Sequence, residues 1–190
     1  MDTKITAESG ENVIIRTIVT DANGDRITSG KVAFKLNGVT LKDKNGKTVT
    51  ATIKDGIATL NYTIPDTYKV KDYELTAVLS SNYYERAEQK ATLSLTKKVI
   101  TITTTNITTV NGKTSIKGTI TDLKGKLMVT PSKMVVKVNG KTMLTNVTSN
   151  NGIFDLSFTH TFKKGMYELL IISGENGMYQ SGRLTTVLKV

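Results

Sequence analysis

Residues 31–38 read Lys-Val-Ala-Phe-Lys-Leu-Asn-Gly, and residues 133–140 read Lys-Met-Val-Val-Lys-Val-Asn-Gly. In both segments apolar residues occupy every second position, which is the period of a half-buried β-strand. The Asn-Gly pair that follows is a strong signal for a tight hairpin turn, because both residues tolerate a positive φ. The two segments therefore predict the same strand and the same turn twice, about one hundred residues apart.

The repeat extends in both directions from these strands. Each upstream strand ends in a Thr-Asp-x-x-Gly turn, at Thr20–Gly24 and at Thr121–Gly125. The downstream matches are Asp55-Gly56 with Asn151-Gly152, Tyr73-Glu74-Leu75 with Tyr167-Glu168-Leu169, and Tyr84 with Tyr179. We predict strands at 13–19, 31–36, 57–64, 73–79 and 89–96, which recur at 114–120, 133–138, 153–159, 167–173 and 184–190.

About seven short strands in each half cannot bury their apolar faces as one flat sheet, so two packed sheets are expected in each half. The core residues predicted by strand parity are Phe34, Leu36, Leu60, Tyr73 and Leu75, with Val136, Val138, Leu156, Tyr167 and Leu169 as counterparts. The predicted fold class is all-β, with one β-sandwich domain at residues 1–98 and a second at residues 99–190.

The repeated motifs resemble those of the immunoglobulin-like repeats in large bacterial and archaeal adhesin-like surface proteins, particularly those of methanogenic archaea. The resemblance covers nearly the whole chain and includes the strand Gly165-Met166-Tyr167-Glu168-Leu169. The first half departs from this Gly-x-Tyr pattern, since Val70-Lys71-Asp72-Tyr73 stands there. The resemblance implies two tandem immunoglobulin-like β-sandwich domains, which serve as a stalk or binding repeat at the cell surface.

Composition narrows the classes of function. The sequence has no Cys and no Trp, so it can form neither a disulfide framework nor a thiolate metal site. Its net charge is +10, and the second half is basic mainly because it has few acidic residues. The lysines there are spread singly, with no Arg-rich stripe and no aromatic stacking platform, so a solvated basic surface is expected and nucleic-acid binding is not. They include Lys113, Lys117, Lys124, Lys126, Lys133 and Lys137. There is no apolar run of the roughly 18 residues that a membrane span needs. No secretion signal is recognisable at residues 1–10, which leaves either an intracellular protein or part of a longer surface protein.

Catalysis is not expected, and neither is a cofactor. His160 is the single histidine, and it ends a predicted strand on the inward parity without a Cys, a Gly-x-Ser-x-Gly turn or a second His. An internal Lys–Asn cross-link is also not expected, because the lysines of the two repeated strands face outward by parity. These lysines are Lys31, Lys35, Lys133 and Lys137.

A partial calcium loop is present at residues 21–25. Asp21, Asn23 and Asp25 offer oxygen ligands at alternate positions, as calcium loops do. The bidentate Glu of such loops is absent, and the corresponding loop of the other half has Lys124 and Lys126 instead of Asn23 and Asp25. A plain turn is the alternative interpretation.

Two further groups of residues are candidates for contact with other molecules. The candidates for stacking on a sugar or a protein partner are Tyr83, Tyr84 and Tyr179, although tyrosines at such bends often pack on the core instead. The glycosylation sequons begin at Asn61, Asn106 and Asn146. Of these, Asn61 faces solvent by strand parity and is the best-placed acceptor.

Three functions fit the sequence. The first is a non-catalytic, monomeric repeat of an extracellular adhesin, whose ligand is a protein or glycan of another cell or of the envelope. The second is a self-assembling surface-layer or pilus-type subunit that polymerises through exposed sheet edges. The third is an accessory binding module of a secreted carbohydrate-active enzyme.

The junction between the halves yields a first prediction. Residues 96–102 contain no Gly or Pro and continue the β pattern, so we expect a short, stiff connection and an extended particle. Small-angle scattering of the purified chain should give a maximum dimension well above that of one compact globule of the same mass. A dimension close to that of the compact globule would contradict the stalk arrangement and leave the β-sandwich assignment intact.

Overall fold

The computed structural model of the chain describes residues 2–190, apart from the side chains of residues 146 and 147. The chain divides into two units, the first ending at Thr96 and the second running from Lys97 to Val190. The regular structure in the described residues consists of β-strands without helices. The predicted all-β class with sandwich-like sheets is confirmed.

The strands of the first unit form two layers. They are β1 (Lys4–Glu8), β2 (Asn12–Ile18), β3 (Lys31–Leu36), β4 (Val39–Thr40), β5 (Thr50–Lys54), β6 (Ile57–Thr63), β7 (Asp72–Ser80) and β8 (Glu88–Thr96). One layer has the order β1-β8-β7-β3, with β4 on β3, and the other contains β6 and β2. β5 pairs with β3 through residues 50–52 and with β6 through residues 53–54, so it joins the two layers.

The second unit repeats this plan with separate sheets. Its strands are β9 (Ile100–Val110), β10 (Lys113–Asp122), β11 (Lys133–Val138), β12 (Lys141–Thr148), β13 (Ile153–Thr159), β14 (Met166–Ser173) and β15 (Gly182–Lys189). One sheet has the order β13-β10-β9 and the other β12-β11-β14-β15.

The ten strands predicted from alternation are confirmed, with ends that differ by at most two residues. β1, β4, β5, β9 and β12 were not predicted as separate strands. The segment 39–54, which was predicted only to lengthen a hairpin, contains β4 and β5 with a tight loop between them. These strands were missed because they are short, carry a bulge or consist mainly of Thr and Lys, so a two-residue apolar period does not mark them.

Each unit has its own apolar core, built from the inward residues of the predicted strands. Eight of the ten predicted core residues are buried. Tyr73 and Tyr167 are instead half-buried, because each hydroxyl reaches out of the core to a backbone carbonyl four residues earlier. Tyr73 donates to Lys69 at 3.0 Å and Tyr167 donates to Lys163 at 2.8 Å.

The second unit begins two residues before the predicted boundary at residue 99. Lys98 is 5% exposed, and its backbone joins this unit on both sides. The Lys98 N–H donates to the Met178 carbonyl at 2.9 Å, and the Gln180 N–H donates to the Lys98 carbonyl at 2.9 Å. These bonds join Lys98 to the second unit, a feature that alternation does not reveal.

The first strand takes a different route in each unit. β1 runs parallel to β8, whereas β9 runs antiparallel to β10. Where β9 carries a bulge at Thr105, opposite Lys117 and Gly118, a Cβ on Gly118 would lie 2.1 Å from the Thr103 carbonyl oxygen, so only glycine allows β9 to pass. The counterpart of Gly118 in β2 is Thr17, whose buried side chain occupies this space. A side chain at this position therefore allows the first strand to pair with the last strand of its unit, as β1 does with β8. It prevents the first strand from pairing along the second strand, as β9 does with β10.

Replacing Gly118 with Ala should destabilise the second unit by at least about 2 kcal/mol, since the new methyl group would overlap Thr103 and the ring of Phe154. Gly177→Ala is the matched control, because nothing lies within 4 Å of a Cβ there. The free energy of unfolding in denaturant measures both effects. Equal stability of the two variants would contradict the proposed role of Gly118.

Candidate functional site

Asp21 closes the turn that follows β2. Its Oδ1 accepts hydrogen bonds from the N–H groups of Asn23 and Asp25, both at 2.9 Å. The Asp21 N–H donates to the Asp25 carbonyl at 2.9 Å, and Gly24 completes the turn with a φ of 90°. The carboxylate predicted as a calcium ligand therefore already stabilises its own turn through two backbone donors.

The same arrangement occurs at Asp122 and Asp43. Asp122 Oδ1 accepts the N–H groups of Lys124 and Lys126, both at 2.9 Å. Asp43 Oδ1 accepts two N–H groups in the same way, from the second and fourth residues after it. Because the turn forms equally with lysines at the alternate positions, its geometry does not depend on a cation.

The loop at Asp43 was missed in the sequence, although its Asp-Lys-Asn-Gly pattern was a usable signal. Across residues 2–190, with two side chains excepted, no cluster of three or more His, Cys, Asp or Glu side chains is placed to hold a metal ion.

The asparagine side chains of the Asn-Gly turns also form hydrogen bonds within the fold. Asn37 Oδ1 accepts the Glu74 N–H at 2.8 Å, and Asn139 Oδ1 accepts the Glu168 N–H at 2.8 Å. Both asparagines have a positive φ, of 46° and 44°. Each turn is thereby tied to the neighbouring strand of its sheet at an equivalent point.

The predicted stacking tyrosines are not equivalent. Tyr83 is 81% exposed and Tyr84 is 39% exposed, so both rings are accessible. Tyr179 is only 2% exposed, and its hydroxyl oxygen accepts the Val129 N–H at 3.3 Å. Tyr179 is therefore corrected as a candidate for stacking on a ligand: its ring is part of the core, which was the alternative interpretation.

The other predicted positions are also distributed over the surface. Asn61 on β6 and Asn106 on β9 are exposed, and the side chain of Asn146 lies outside the described residues. His160 is half-buried at a rim, and its ring packs edge-on against Phe162 with 4.5 Å between the centroids. No helix in the described part of the chain has the length and apolar character needed to cross the bilayer.

Among the surface grooves of the first unit, two are bordered by β6 or by the end of β2. The larger, of about 590 Å³, is lined by the loop after β4 and by the outer part of β6, including Lys42, Asp43, Asn61 and Tyr62. The smaller, of about 320 Å³, lies between the end of β2 and the start of β8 and is lined by residues 17–20 and 87–89.

Tyr62 is a titratable residue whose pKa is changed by burial. Burial of the phenol, together with the neighbouring Tyr68, raises its pKa from 10.0 to about 12. The neutral phenol is therefore favoured in the folded state. Because Tyr62 packs into the core and stabilises the fold in its neutral form, its high pKa has a structural cause and does not indicate acid–base catalysis.

Comparison with known proteins supports the fold. No family model matches the sequence, and no curated protein matches it. A two-domain fibronectin type III segment of chicken tenascin is similar in structure, with a TM-score of 0.53, 12% identity, and coverage of 97% of this chain and 95% of that one. This similarity shows a pair of β-sandwiches and does not extend to function.

Two adhesin structures are also similar at lower scores. One is a 1.5-MDa bacterial ice-binding adhesin, with 17% identity, a TM-score of 0.36, and coverage of 99% of this chain and 60% of that chain. The other is a tetra-tandem repeat from the extending region of a large adhesion protein, with 14% identity, a TM-score of 0.44, and coverage of 95% and 49%. The chain thus spans about half of the length of these adhesin structures.

The raised pKa of Tyr62 predicts a loss of stability at high pH. The neutral phenol contributes its full stability below pH 10, and this contribution is lost as the pH rises from 10 towards 12. In Tyr62→Phe the fall in unfolding free energy over this range should be smaller. Tyr83→Phe, at an exposed tyrosine, should behave like the unmodified chain. Parallel pH profiles for Tyr62→Phe and the unmodified chain would contradict the assignment.

Proposed function

We propose that the chain is a non-catalytic pair of immunoglobulin-like repeats from an adhesin-like surface protein, and that it acts outside the cell as a spacer or binding repeat. One observation carries the proposal. At matched positions of the two units, the polar side chains that a reactive site would need are hydrogen-bonded to the backbone of their own fold.

The matched positions are of three kinds. The carboxylates Asp21 and Asp122 hold the Thr-Asp-x-x-Gly turns, as described above. Asn37 and Asn139 hold the Asn-Gly turns, and the two strand tyrosines hold the bends before β7 and β14. Catalysis requires polar groups that converge on a substrate, whereas these groups are spread around each sandwich and point to their own backbone.

The resemblance of the repeated motifs to adhesin-like surface repeats favours the cell surface as the location. The further assignment to the type found in methanogenic archaea rests on that resemblance alone. The exposed pair Tyr83 and Tyr84 is the best candidate for contact with a glycan or protein partner, because both rings are accessible at one bend. Asn61 and Asn106 are the proposed glycan acceptors.

A second candidate function is a subunit that polymerises through its sheet edges. This is favoured by two strands at the ends of their sheets, β2 in the first unit and β15 in the second. Such edges offer backbone groups to another chain. Val187 on β15 is 55% exposed, so the edge also carries apolar surface.

Size-exclusion chromatography with light scattering, run from dilute to the highest attainable concentration, separates the two functions. A repeat should stay at the mass of one chain throughout. Val187→Lys is the matched variant, because a charge on an edge strand opposes edge-to-edge pairing. Growing assemblies that Val187→Lys dissolves would contradict the repeat function and establish the assembly subunit.

A further inference from the structure

The second unit has a pocket of about 420 Å³ between the β11–β12 turn and the segment that follows β13. His160, in the lining of this pocket, occupies the position that Ile64 has in the first unit. Each donates its N–H to the residue directly before the second strand of its unit, His160 to Gly112 at 2.9 Å and Ile64 to Glu11 at 2.8 Å. Ile64 is fully buried, whereas His160 is half-buried. A core position of the first unit therefore lines a pocket in the second.

A second core position has changed in the same way. Leu41 and Met143 both stand four residues after the asparagine of the Asn-Gly turn in their unit. Leu41 is 3% exposed and belongs to the core of the first unit, whereas Met143 is half-buried and lines the pocket. The first unit is thus closed by two branched aliphatic side chains at the place where the second unit is open.

The strand tyrosine of the first unit is covered by two neighbours. The ring of Tyr68 stacks on that of Tyr73, with 5.5 Å between the centroids and an angle of 21° between the planes. The ammonium group of Lys71 lies 4.7 Å from the centroid of the Tyr73 ring, in a cation–π contact. This aromatic pair therefore has its partners within its own unit.

The corresponding ring of the second unit, Tyr167, lacks this cover. Phe162 replaces Tyr68 as its aromatic neighbour, but the two rings are tilted by 52°. Two residues before the tyrosine, Gly165 replaces Lys71. Gly165 does not have a positive φ, and a Cβ there would meet nothing closer than 3.7 Å, so neither the backbone nor the packing requires a glycine. The glycine of the Gly-x-Tyr motif instead leaves Tyr167 without the cation that covers Tyr73.

The charged groups around the pocket are basic. Lys141 and Lys163 are in its lining, which contains no Asp or Glu among the described residues. Glu168 follows Tyr167 on β14, and its side chain faces the other side of the sheet because side chains alternate along a strand. The pocket therefore favours a ligand with a negative charge, and its volume is within the range of ordinary ligand sites.

We infer that this pocket binds an acidic sugar, a pyranose ring that carries a carboxylate, within a polysaccharide. The apolar face of the sugar packs on Tyr167 and Phe162, and the imidazole of His160 donates an N–H to a hydroxyl group. The carboxylate pairs with the ammonium groups of Lys141 and Lys163. The inference rests on the proposed function, because it gives the binding repeat the chemical class of its ligand.

The test is an NMR titration of the whole chain with a tetramer of galacturonic acid. Two comparison ligands are the methyl ester of this tetramer, which keeps the rings without the charge, and tetraglutamate, which keeps the charge without the rings. The acidic tetramer should shift the amide signals of residues 160–167. It should bind about tenfold more tightly than either comparison ligand, as the loss of one charge-assisted hydrogen bond or of the ring contacts predicts.

Two variants restore the residues of the first unit. Gly165→Lys should bind the acidic tetramer about tenfold more weakly although it adds a positive charge, because the new side chain covers Tyr167. Gly177→Lys adds the same charge at a position with nothing within 4 Å of a Cβ, and its affinity should not fall. His160→Ile should also bind more weakly, while its free energy of unfolding does not decrease.

Tetraglutamate binding as tightly as the acidic tetramer, or tighter binding by Gly165→Lys, would show attraction by charge alone and overturn the inference. Equal affinity for the methyl ester, or no shifts at residues 160–167, would overturn it as well. Light scattering on the same samples keeps these results separate from the proposed function. A monomeric chain that does not bind the tetramer would remove the sugar site while the repeat remains a spacer. Concentration-dependent assembly without sugar would contradict the repeat function, and the titration would still decide the sugar site.

Discussion

The hairpin turns with positive φ are the constraint on which both sandwiches depend. Among residues 2–190, five non-glycine residues have a positive φ, each followed by a glycine that also has one: Asn37, Asp55, Asn111, Asn139 and Asn151. Such pairs fix which residues of the two flanking strands face each other. Since a slip of one residue would turn every apolar side chain to solvent, the turns determine which residues form the core.

This dependence explains how much of the fold the sequence could predict. Where a strand alternates and ends in a marked turn, as at residues 31–38 and 133–140, position and inward face were predicted together. The route of the first strand was not predictable, because it depends on contacts with residues distant in sequence. The route is decided by the space beside the strand at Thr17 and at Gly118, and no local sequence pattern predicts that space.

The candidate sites show a different limit. Asp, Asn and Gly are the residues of a calcium loop and also those of an Asx turn, so residue types alone left residues 21–25 with two interpretations. The structure shows that Asp21 accepts two backbone N–H groups of its turn, and the loop at Asp122 has the same bonds with lysines at the alternate positions. Tyr179 illustrates the same point, because the sequence allowed either stacking on a ligand or packing on the core, and the structure shows a buried ring.

The polar side chains and the backbone groups at the strand edges have different roles in the two units. In each unit the matched Asp, Asn and Tyr side chains stabilise turns. The strand edges carry backbone N–H and C=O groups that can form directional hydrogen bonds. An exposed edge can also pair unspecifically, so the side chains along it determine which strand it accepts. The matched Asp, Asn and Tyr residues of the two units are accounted for by the turns and bends that they stabilise.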